Sequence, residues 1–402
     1  MSFRLLNISS MYPGYLESFH KKYPQIVNLS YDEHHALLLN DTTEFAGSYY
    51  KNFRRLGIEA NCIITNDSSL QNKWRSENRK KPRDAQSIIF EQVKSYDPDI
   101  LWVEDLNHIN SSWLEHIRKE IKSIKLIVAY HCAGFTRSLL EKLKGFDFVI
   151  TCTPGIKQSF EKEGLRSYLV YHGFDKDALL RLDNHNNTQK NNLIFSGSLF
   201  PGGNLHNDRI AFIEGLLKEK IDLTLYVNLE KQYKIKIKQS IYFLSTLLNK
   251  LKLKGITDKI PIFDYARSPV RNYSEKLLKS NHKSVFGIDM YNLFDSSNIV
   301  LNMHVDVAGN YAGNMRLFEV TGIGSCLLTD NKKNLGELFD IDTEVVAYNS
   351  IEDCIEKAKW LIEHDDERKK IALCGQQKTL RLHTVEERCR TIIDIINREL
   401  RQ

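Results

Sequence analysis

The chain has 402 residues, 42% of them apolar and 27% charged, a composition typical of folded globular proteins and not of disordered or fibrous chains. No run of about 18 apolar residues occurs, so no membrane-spanning helix is expected, and we expect no signal peptide at the start. The seven cysteines include no CxxC pair, which argues against a disulfide framework or a structural zinc site and favours the reducing cytoplasm.

Short apolar segments alternate with helical patterns through the first half of the chain. The apolar segments lack regular polar alternation, which is typical of strands buried on both faces. Strands are expected at residues 3–8, 60–65, 99–104, 125–130, 147–152 and 167–171. Helices are expected at 43–56, 83–94, 112–123, 136–144 and 153–163. This alternation predicts βαβ units and a parallel sheet.

A polar, Asn-rich run at 183–192 interrupts this pattern and is predicted to be a linker. The alternation then resumes, with strands expected at 193–197, 222–227, 298–303, 325–329 and 345–348, helices at 207–220 and 314–321, and three helical stretches to the end. We therefore predict an α/β protein with two Rossmann-like domains, at 1–182 and 193–382, and a helical tail at 383–402. Ligands of such domain pairs bind in the cleft, at the carboxyl ends of the strands.

The net charge of +5 is unevenly distributed. Residues 231–283 hold thirteen Lys or Arg and three acidic residues, a local charge of +10, so the rest of the chain carries −5. Apolar positions 241, 244, 247, 248 and 251 share one helical face within this basic segment, 230–283. We favour a packing helix with solvated lysines. The alternatives are contact with an anionic membrane through 231–254 and a site for an anionic ligand, whereas no nucleic-acid-binding module is recognised.

The segment NIVLNMHVDVAGNYAGNMRLFEVTGIGSCLLTD, residues 298–330, has the chemistry of an anion site. A strand leads through a Gly-containing loop to a helix that opens at Asn314. The N–H groups in the first turn of such a helix attract phosphate, and Gly313, which has no side chain, lets a ligand approach them. Arg316 can add a charge-assisted contact, and Glu319 can accept hydrogen bonds from the two hydroxyls of a ribose. The alternative is a surface ion pair between Arg316 and Glu319, three residues apart.

The string NMRLFEVTGIGSCLLTD resembles the NMR-x-FE-x-x-x-x-G segment of the CgeB-like glycosyltransferases, which have the GT-B fold and are related to retaining glycosyltransferase family 4. In that larger family the second Glu of an E-x7-E motif binds the ribose of the nucleotide sugar. Glu319 matches the second Glu, whereas Tyr311 stands in place of the first. The resemblance places four residues against the diphosphate: Gly313, Asn314, Met315 and Arg316.

Three further strings resemble the same family. VFGIDMYNLFDSSNIVLNMH implies that Phe286 and Gly287 pack near the nucleobase. IFSGSLFPGGNLHNDRIAF resembles the opening of the family's C-terminal domain and makes Ser198 and Arg209 candidate donor contacts. The tail GQQKTLRLHTVEERCRTI implies a final helix that returns to pack on the N-terminal domain.

The N-terminal half offers weaker candidates. Gly14, in SSMYPGY, stands where GT-B enzymes place a Gly loop facing the donor phosphates and the acceptor, although a plain turn fits as well. His131 follows a predicted strand, where family 4 enzymes place a residue that reaches the donor sugar; a structural histidine is the alternative. Glu104 and Asp105 are either acceptor contacts or solvated acids. His172, in YHGFD, resembles the hinge of GT-B chains and is expected to shape the interdomain crossover.

No metal ion is expected, because no His/Asp cluster has ligand spacing and no D-x-D motif follows a strand. The resemblance implies that helix dipoles and basic side chains stabilise the departing diphosphate instead. His34 and His35 are expected on the surface. Cys132 is expected to be a small buried residue and not a nucleophile.

The function implied is transfer of a sugar from a UDP-, GDP- or TDP-sugar to a hydroxyl of a glycan, a lipid-linked glycan or a protein. The resemblance implies retention of configuration, no prosthetic group, and His131, Arg316 and Glu319 as the residues nearest the chemistry. The alternatives are a GT-B epimerase or phosphorylase, and an inactive nucleotide-sugar-binding or scaffold protein of surface-polysaccharide assembly. The expected location is the cytoplasm, with peripheral contact at the inner face of the membrane as an addition.

Overall fold

The chain, seen in a computed structural model, folds around two parallel sheets of six strands each. The structure describes residues 3–43, 45–79, 84–183, 191–202, 206–219, 221–251, 260, 262–263, 268–306 and 309–402. Among these residues, no helix has the length and apolar character needed to cross a membrane.

The first sheet has the strand order β2-β1-β3-β4-β5-β6. Its strands are β1 (Arg4–Ser9), β2 (Glu59–Ile64), β3 (Ile100–Val103), β4 (Leu126–Tyr130), β5 (Phe148–Thr151) and β6 (Ser167–Leu169). All six predicted strands are confirmed. The order reverses between β1 and β3, and parallel sheets bind ligands in the crevice beyond such a reversal.

The second sheet has the order β12-β11-β10-β7-β8-β9, so its first strand lies in the middle, as in a Rossmann sheet. Its strands are β7 (Asn191–Leu199), β8 (Leu223–Leu229), β9 (Asn281–His282), β10 (Ser297–Asn302), β11 (Cys326–Asp330) and β12 (Val346–Tyr348). The order reverses between β7 and β10. The sequence missed β9 because two residues are too short to show a period.

Helices cover both sheets. In the N-terminal half they are α1 (Pro13–Lys22), α2 (Tyr31–Asp41), α3 (Phe45–Arg55), α4 (Ser68–Glu77), α5 (Ala85–Tyr96), α6 (Ser111–Glu120), α7 (Arg137–Leu143) and α8 (Pro154–Lys162), with 3-10 helices at Pro24–Asn28 and Lys176–Arg181. In the C-terminal half they are α9 (Asn207–Lys218), α10 (Gln232–Lys250), α11 (Glu275–Ser280), α12 (Gly287–Asp295), α13 (Met315–Ile323), α14 (Leu335–Leu338), α15 (Ile351–Glu363), α16 (Asp365–Leu382) and α17 (Val385–Glu399).

The predicted linker at 183–192 is wrong at its end, because Asn191 and Asn192 belong to β7. Asn191 pairs in register with Ser297 of β10. Backbone pairing needs no apolar side chain, so a polar strand end has no hydrophobic signal. Residues 184–190 lie outside the described part of the chain.

The expected return of the last helix to the N-terminal half is confirmed. Val385, Cys389 and Ile392 of α17 share a core with Tyr49 and Phe53 of α3. The crossover is held by the backbone, since Phe174 N donates to His383 O (2.8 Å) and Val385 N donates to Phe174 O (3.0 Å). The carbonyl oxygen of His172 accepts a hydrogen bond from Arg388 Nε (2.9 Å), beside this crossover.

Helix α10 does not bury the apolar face that its periodicity predicts. Leu244, Leu247 and Leu251 are 44–61% exposed, and Phe243 beside them is 71% exposed. Ile235, one turn from the start of the helix, is buried. Helix α10 is therefore attached to the domain through its first half and presents apolar and charged side chains to solvent toward its end, whereas Val270, Tyr273 and Leu277, later in the basic segment, are buried in the core. Residues 252–259 of the segment lie outside the described part.

The buried ring of His383 makes stability depend on pH. Burial and the nearby Arg388 lower the pKa of His383 to about 4, from an ordinary 6.5. Nδ1 accepts from Arg388 Nη2 (2.8 Å), and Nε2 donates to Leu338 O (3.0 Å). The contact with Arg388 needs the neutral ring, because a protonated Nδ1 cannot accept a hydrogen bond.

As the pH falls, the unfolded chain takes up a proton on His383 before the folded chain does. The contribution of the neutral ring to the free energy of unfolding is therefore complete above pH 6.5 and is lost as the pH drops toward the folded pKa. We expect protonation linked to His383 to lower the free energy of unfolding by about 2 kcal/mol between pH 7 and pH 5, as measured by urea unfolding. His383→Gln should flatten this dependence, whereas His116→Gln, at an exposed position, should not. An unchanged slope in His383→Gln would contradict the assignment.

Candidate functional site

The side chain of Arg209 bridges the two strands between which the second sheet reverses. Nη1 donates to Ser198 O (3.4 Å), at the end of β7, and Nη2 donates to Met303 O, just after β10. Arg209 is 7% exposed, and its burial lowers the pKa of the guanidinium to about 10. Its Nε has no hydrogen-bond partner among the described residues. A buried cation therefore stands in the crevice where such sheets bind ligands.

Arg316 and Glu319 reach the same crevice from α13. Arg316 Nη1 donates to Glu319 Oε2 (2.6 Å), and Nη2 donates to Ser196 O in β7 (3.1 Å). Glu319 Oε1 lies 3.5 Å from the hydroxyl of Tyr291. The ion pair expected as an alternative is therefore present, but its surface location is wrong: the side chains are only 16% and 8% exposed. The cation also stacks on Phe294, 4.7 Å from the ring centre.

The loop before α13 is held by two side chains that the sequence analysis missed. His304 Nε2 accepts from Gly313 N (3.3 Å), and Asn334 exchanges two hydrogen bonds with the backbone of Ala312 (2.7 and 3.0 Å). His304 Nδ1 in turn contacts Asp330 Oδ1 (2.7 Å). Burial alone raises the pKa of Asp330, but His304 and Lys332 bring it down to about 2. His304 and Asp330 follow or end neighbouring parallel strands, which is the signal that could have found them.

Asn314 precedes α13 with an extended backbone, as predicted for an N-cap, but its side chain makes no cap hydrogen bond. Instead it exchanges hydrogen bonds with Asn302 of β10 (2.7 and 3.3 Å). Met315, partly buried, is the first helical residue. The N-terminal turn of α13 is therefore not covered by its own cap side chain, which is the arrangement of an anion-binding helix end.

The two halves of the chain meet closely around this site. A Cβ on Gly14 would lie 2.6 Å from Cζ of Phe286, and one on Gly287 would lie 3.2 Å from Cε2 of Tyr15. The predicted loop or turn at Gly14 is wrong, because Pro13 begins α1 there. Gly287 has φ +58°, a conformation that favours glycine.

Gly313 and Tyr311 make the second contact between the halves. A Cβ on Gly313 would overlap the carbonyl oxygen of Cys152 and lie 2.7 Å from Thr153 Cγ2. The ring of Tyr311 packs over Gly155, where a Cβ would lie 2.8 Å from its Cδ2. Tyr311 therefore serves the contact between the halves.

The remaining N-terminal candidates, His131, Glu104 and Asp105, follow strands β4 and β3 of the first sheet. His131 follows β4, with Nε2 3.3 Å from Gly134 O. The described contacts do not join it to Arg316 or Glu319. Glu104 accepts from Ser9 Oγ at the reversal of the first sheet, and Asp105 accepts from Thr65 Oγ1 and from Asn107 N. Asp105 is not a solvated acid, since it is buried, whereas Glu104 is half-buried.

The expected surface position of His34 and His35 is wrong, since they are 0% and 8% exposed. His35 Nε2 is 2.6 Å from Cys62 O. His34 lies beside His20 and Asp67, in one of the two groups of metal-ligating side chains found among the described residues. The other is Cys132, partly buried, with Cys152 and His172. Ligand spacing along the chain missed both groups because their members come from separate elements.

Residues 243–394 match the family described as glycosyl transferase-like. This span contains α13 with Arg316 and Glu319, but not Arg209. No curated protein sequence matches the chain.

Solved structures match over nearly the whole length. A glycosyltransferase from Rickettsia africae is 12% identical, with a TM-score of 0.54 and 99% of each chain covered. HepE of Anabaena, in complex with UDP and glucose, is 11% identical, with a TM-score of 0.58 and 98% and 99% coverage. An alpha-glucosyltransferase in complex with UDP-glucose and DNA containing an abasic site is 14% identical, with a TM-score of 0.57 and 99% and 100% coverage. The fold is therefore GT-B, as predicted.

Gly313→Ala tests the contact between the halves. The added methyl would overlap Cys152 O, so we expect a loss of about 1–3 kcal/mol in unfolding free energy or a measurable opening of the two halves. Gly336→Ala is the matched control, because a Cβ there meets nothing within 4 Å. Urea unfolding and small-angle X-ray scattering measure the two effects. If Gly313→Ala behaved as Gly336→Ala on both, the close contact would be refuted.

Proposed function

We propose that this protein is a glycosyltransferase that moves a sugar from a nucleotide-sugar donor to an acceptor hydroxyl. The observation that carries the proposal is the convergence of Arg209, Arg316 and the start of α13 at the reversal between β7 and β10. Two cations and a helix N-terminus in one crevice suit a diphosphate. The glycosyl transferase-like match and the UDP-sugar complexes of structural neighbours support the same chemistry.

In this proposal the donor binds mainly to the C-terminal half. The backbone of Gly313, Asn314 and Met315 faces the diphosphate, with Arg209, Arg316 and the Ser198 loop around it. Glu319 holds the ribose, since a carboxylate offers about four acceptor positions and Arg316 and Tyr291 take only two of them. Phe286 and Gly287, which lie where the two halves meet, would border the nucleobase.

The proposed reaction breaks the bond between the anomeric carbon and the donor phosphate oxygen and forms a bond to the acceptor oxygen. The acceptor proton passes to the leaving diphosphate on the same face of the sugar, so configuration is retained. The positive groups named above stabilise the developing charge without a metal at the diphosphate. His131 and Gly14 would lie on the acceptor and sugar side. The NMRLFE string supports a CgeB-like enzyme, and the scattered cysteines favour action in the cytoplasm.

Two alternatives use the same fold and crevice. A GT-B epimerase would convert the nucleotide sugar without any acceptor. An inactive binding or scaffold protein is favoured by Tyr311, which stands where the larger family has a carboxylate. Incubation with a nucleotide sugar distinguishes them: transfer or slow hydrolysis releases nucleoside diphosphate, epimerisation changes only the sugar, and a scaffold does neither.

Glu319→Gln tests the donor site. A thermal-shift screen with UDP, GDP, TDP, CMP and their sugars first identifies the nucleotide. We then expect Glu319→Gln to weaken its binding roughly 10–100-fold by calorimetry, because hydrogen bonds to a charged group are lost. Glu356→Gln, an exposed residue of α15, is the control and should bind normally. Unchanged affinity in Glu319→Gln would refute the ribose contact.

We also propose that α10 contacts an anionic membrane surface. Its lysines supply positive charge, and Phe243, Leu244, Leu247 and Leu251 supply exposed apolar area on the same helix. Basic residues next to apolar ones suit the interface of a bilayer that contains anionic lipid. A lipid-linked acceptor would then be presented near the enzyme.

Liposome sedimentation tests this contact. The protein should pellet with anionic liposomes at low salt and stay in solution with neutral ones. The double variant Phe243→Ser, Leu247→Ser should bind anionic liposomes at least about threefold less, because each substitution removes apolar area that would be buried in the bilayer interface. Val27→Ser, at an exposed apolar residue of the N-terminal half, is the control. Equal binding to anionic and neutral liposomes would sink the proposal.

A further inference from the structure

His20, His34 and Asp67 form a compact group in the N-terminal half, away from the nucleotide crevice. His20 lies in the last turn of α1, His34 lies on α2, and Asp67 precedes α4. Their ligating atoms all lie within 4.8 Å of one another. The three side chains therefore converge from three separate elements, 14 and 33 residues apart along the chain.

Within this group, His34 is the residue whose buried ring lacks hydrogen bonds. Its ring is fully buried, and neither ring nitrogen has a hydrogen-bond partner among the described residues. Leaving buried nitrogens without hydrogen bonds costs free energy, so an unpaired buried ring indicates that another partner, such as a metal ion, can satisfy it. One face of the ring stacks on Phe19, with 4° between the planes, which fixes its orientation.

The distances match those between ligands of a tetrahedral ion. Nε2 of His20 lies 3.0 Å from Oδ2 of Asp67, and Nε2 of His34 lies 3.5 Å from the same oxygen. Two ligand atoms, each about 2.0–2.1 Å from a tetrahedral zinc ion, are roughly 3.3 Å apart. The two distances to Asp67 lie on either side of that spacing, and the nitrogens of His20 and His34 lie within 4.8 Å of each other.

The surroundings also suit an ion. The other oxygen of Asp67 accepts from Leu70 N (3.0 Å), so the carboxylate is held in place as the N-cap of α4. Metal-binding carboxylates are commonly oriented by such a second hydrogen bond. The side chain of His20 is 36% exposed, which leaves a path from solvent for an ion, and water is the usual fourth ligand of a three-ligand zinc site.

We propose that His20, His34 and Asp67 bind one Zn²⁺ ion, which ties α1, α2 and α4 together. Two imidazoles and one carboxylate are a donor set that zinc accepts in proteins. The ion would fix α1, whose other end carries Gly14 against Phe286. It would thereby set the distance between the halves without touching the donor. The inference does not depend on the proposed transferase function.

Zinc binding to the whole, untagged protein tests this inference. After chelator treatment, we expect roughly one Zn²⁺ per chain in competition with a chromophoric chelator. Asp67→Asn keeps a good N-cap but loses the charged ligand. His20→Gln removes a ligand at a partly exposed position. Each variant should bind Zn²⁺ at least about tenfold more weakly. Zn²⁺ should raise the Tm of the wild type and leave that of Asp67→Asn unchanged.

Two matched controls are available. Asp84→Asn changes another aspartate that caps a helix, α5, and His116→Gln changes an exposed histidine. Both should bind zinc as the wild type does. Bound Co²⁺ should give tetrahedral visible bands without a thiolate charge-transfer band. The inference is overturned if Asp67→Asn and His20→Gln bind Zn²⁺ normally, if no saturable binding occurs, or if a thiolate band places the ion at Cys132 and Cys152.

Discussion

The buried guanidinium of Arg209 is the constraint around which the C-terminal half is organised. It joins the ends of β7 and β10 through Ser198 O and Met303 O, across the point where the strand order reverses. Burial of a cation is costly unless acceptors surround it, and two carbonyls supply part of what water would give. Helix α9 is aligned for this contact because Asp306 accepts from Asn207 N at its start (2.9 Å). The guanidinium of Arg209 still has an Nε without a hydrogen-bond partner among the described residues, so this crevice favours an anion.

The second organising feature is the close approach of the two halves. Gly14, Gly155 and Gly313 each lack a Cβ where the other half approaches. We interpreted Gly313 from the sequence as room for a phosphate, whereas its missing side chain in this structure admits the backbone of Cys152. The same loop can serve both purposes if the halves separate when a ligand enters. Its backbone is held by His304 and Asn334, which belong to the C-terminal half alone.

The sequence predicted what depends on local pattern. Buried strands such as β4 and β10 are apolar runs, and the start of α13 follows a glycine and an asparagine, so each has a signal within a few residues. The pairing of Arg316 with Glu319 was foreseen from their spacing, but their burial was not. Burial depends on Phe294, Tyr291 and Ser196, which only the fold brings near. His34 was placed on the surface for the same reason: its neighbours His20 and Asp67 come from other elements.

The most direct test of the central claim is a crystal structure of the protein with a nucleoside diphosphate bound. We predict the diphosphate against the backbone of Gly313 to Met315, with Arg209 and Arg316 in contact and Glu319 on the ribose. A nucleotide bound at the other reversal, beside Ser9 and Glu104 of the first sheet, would contradict that claim.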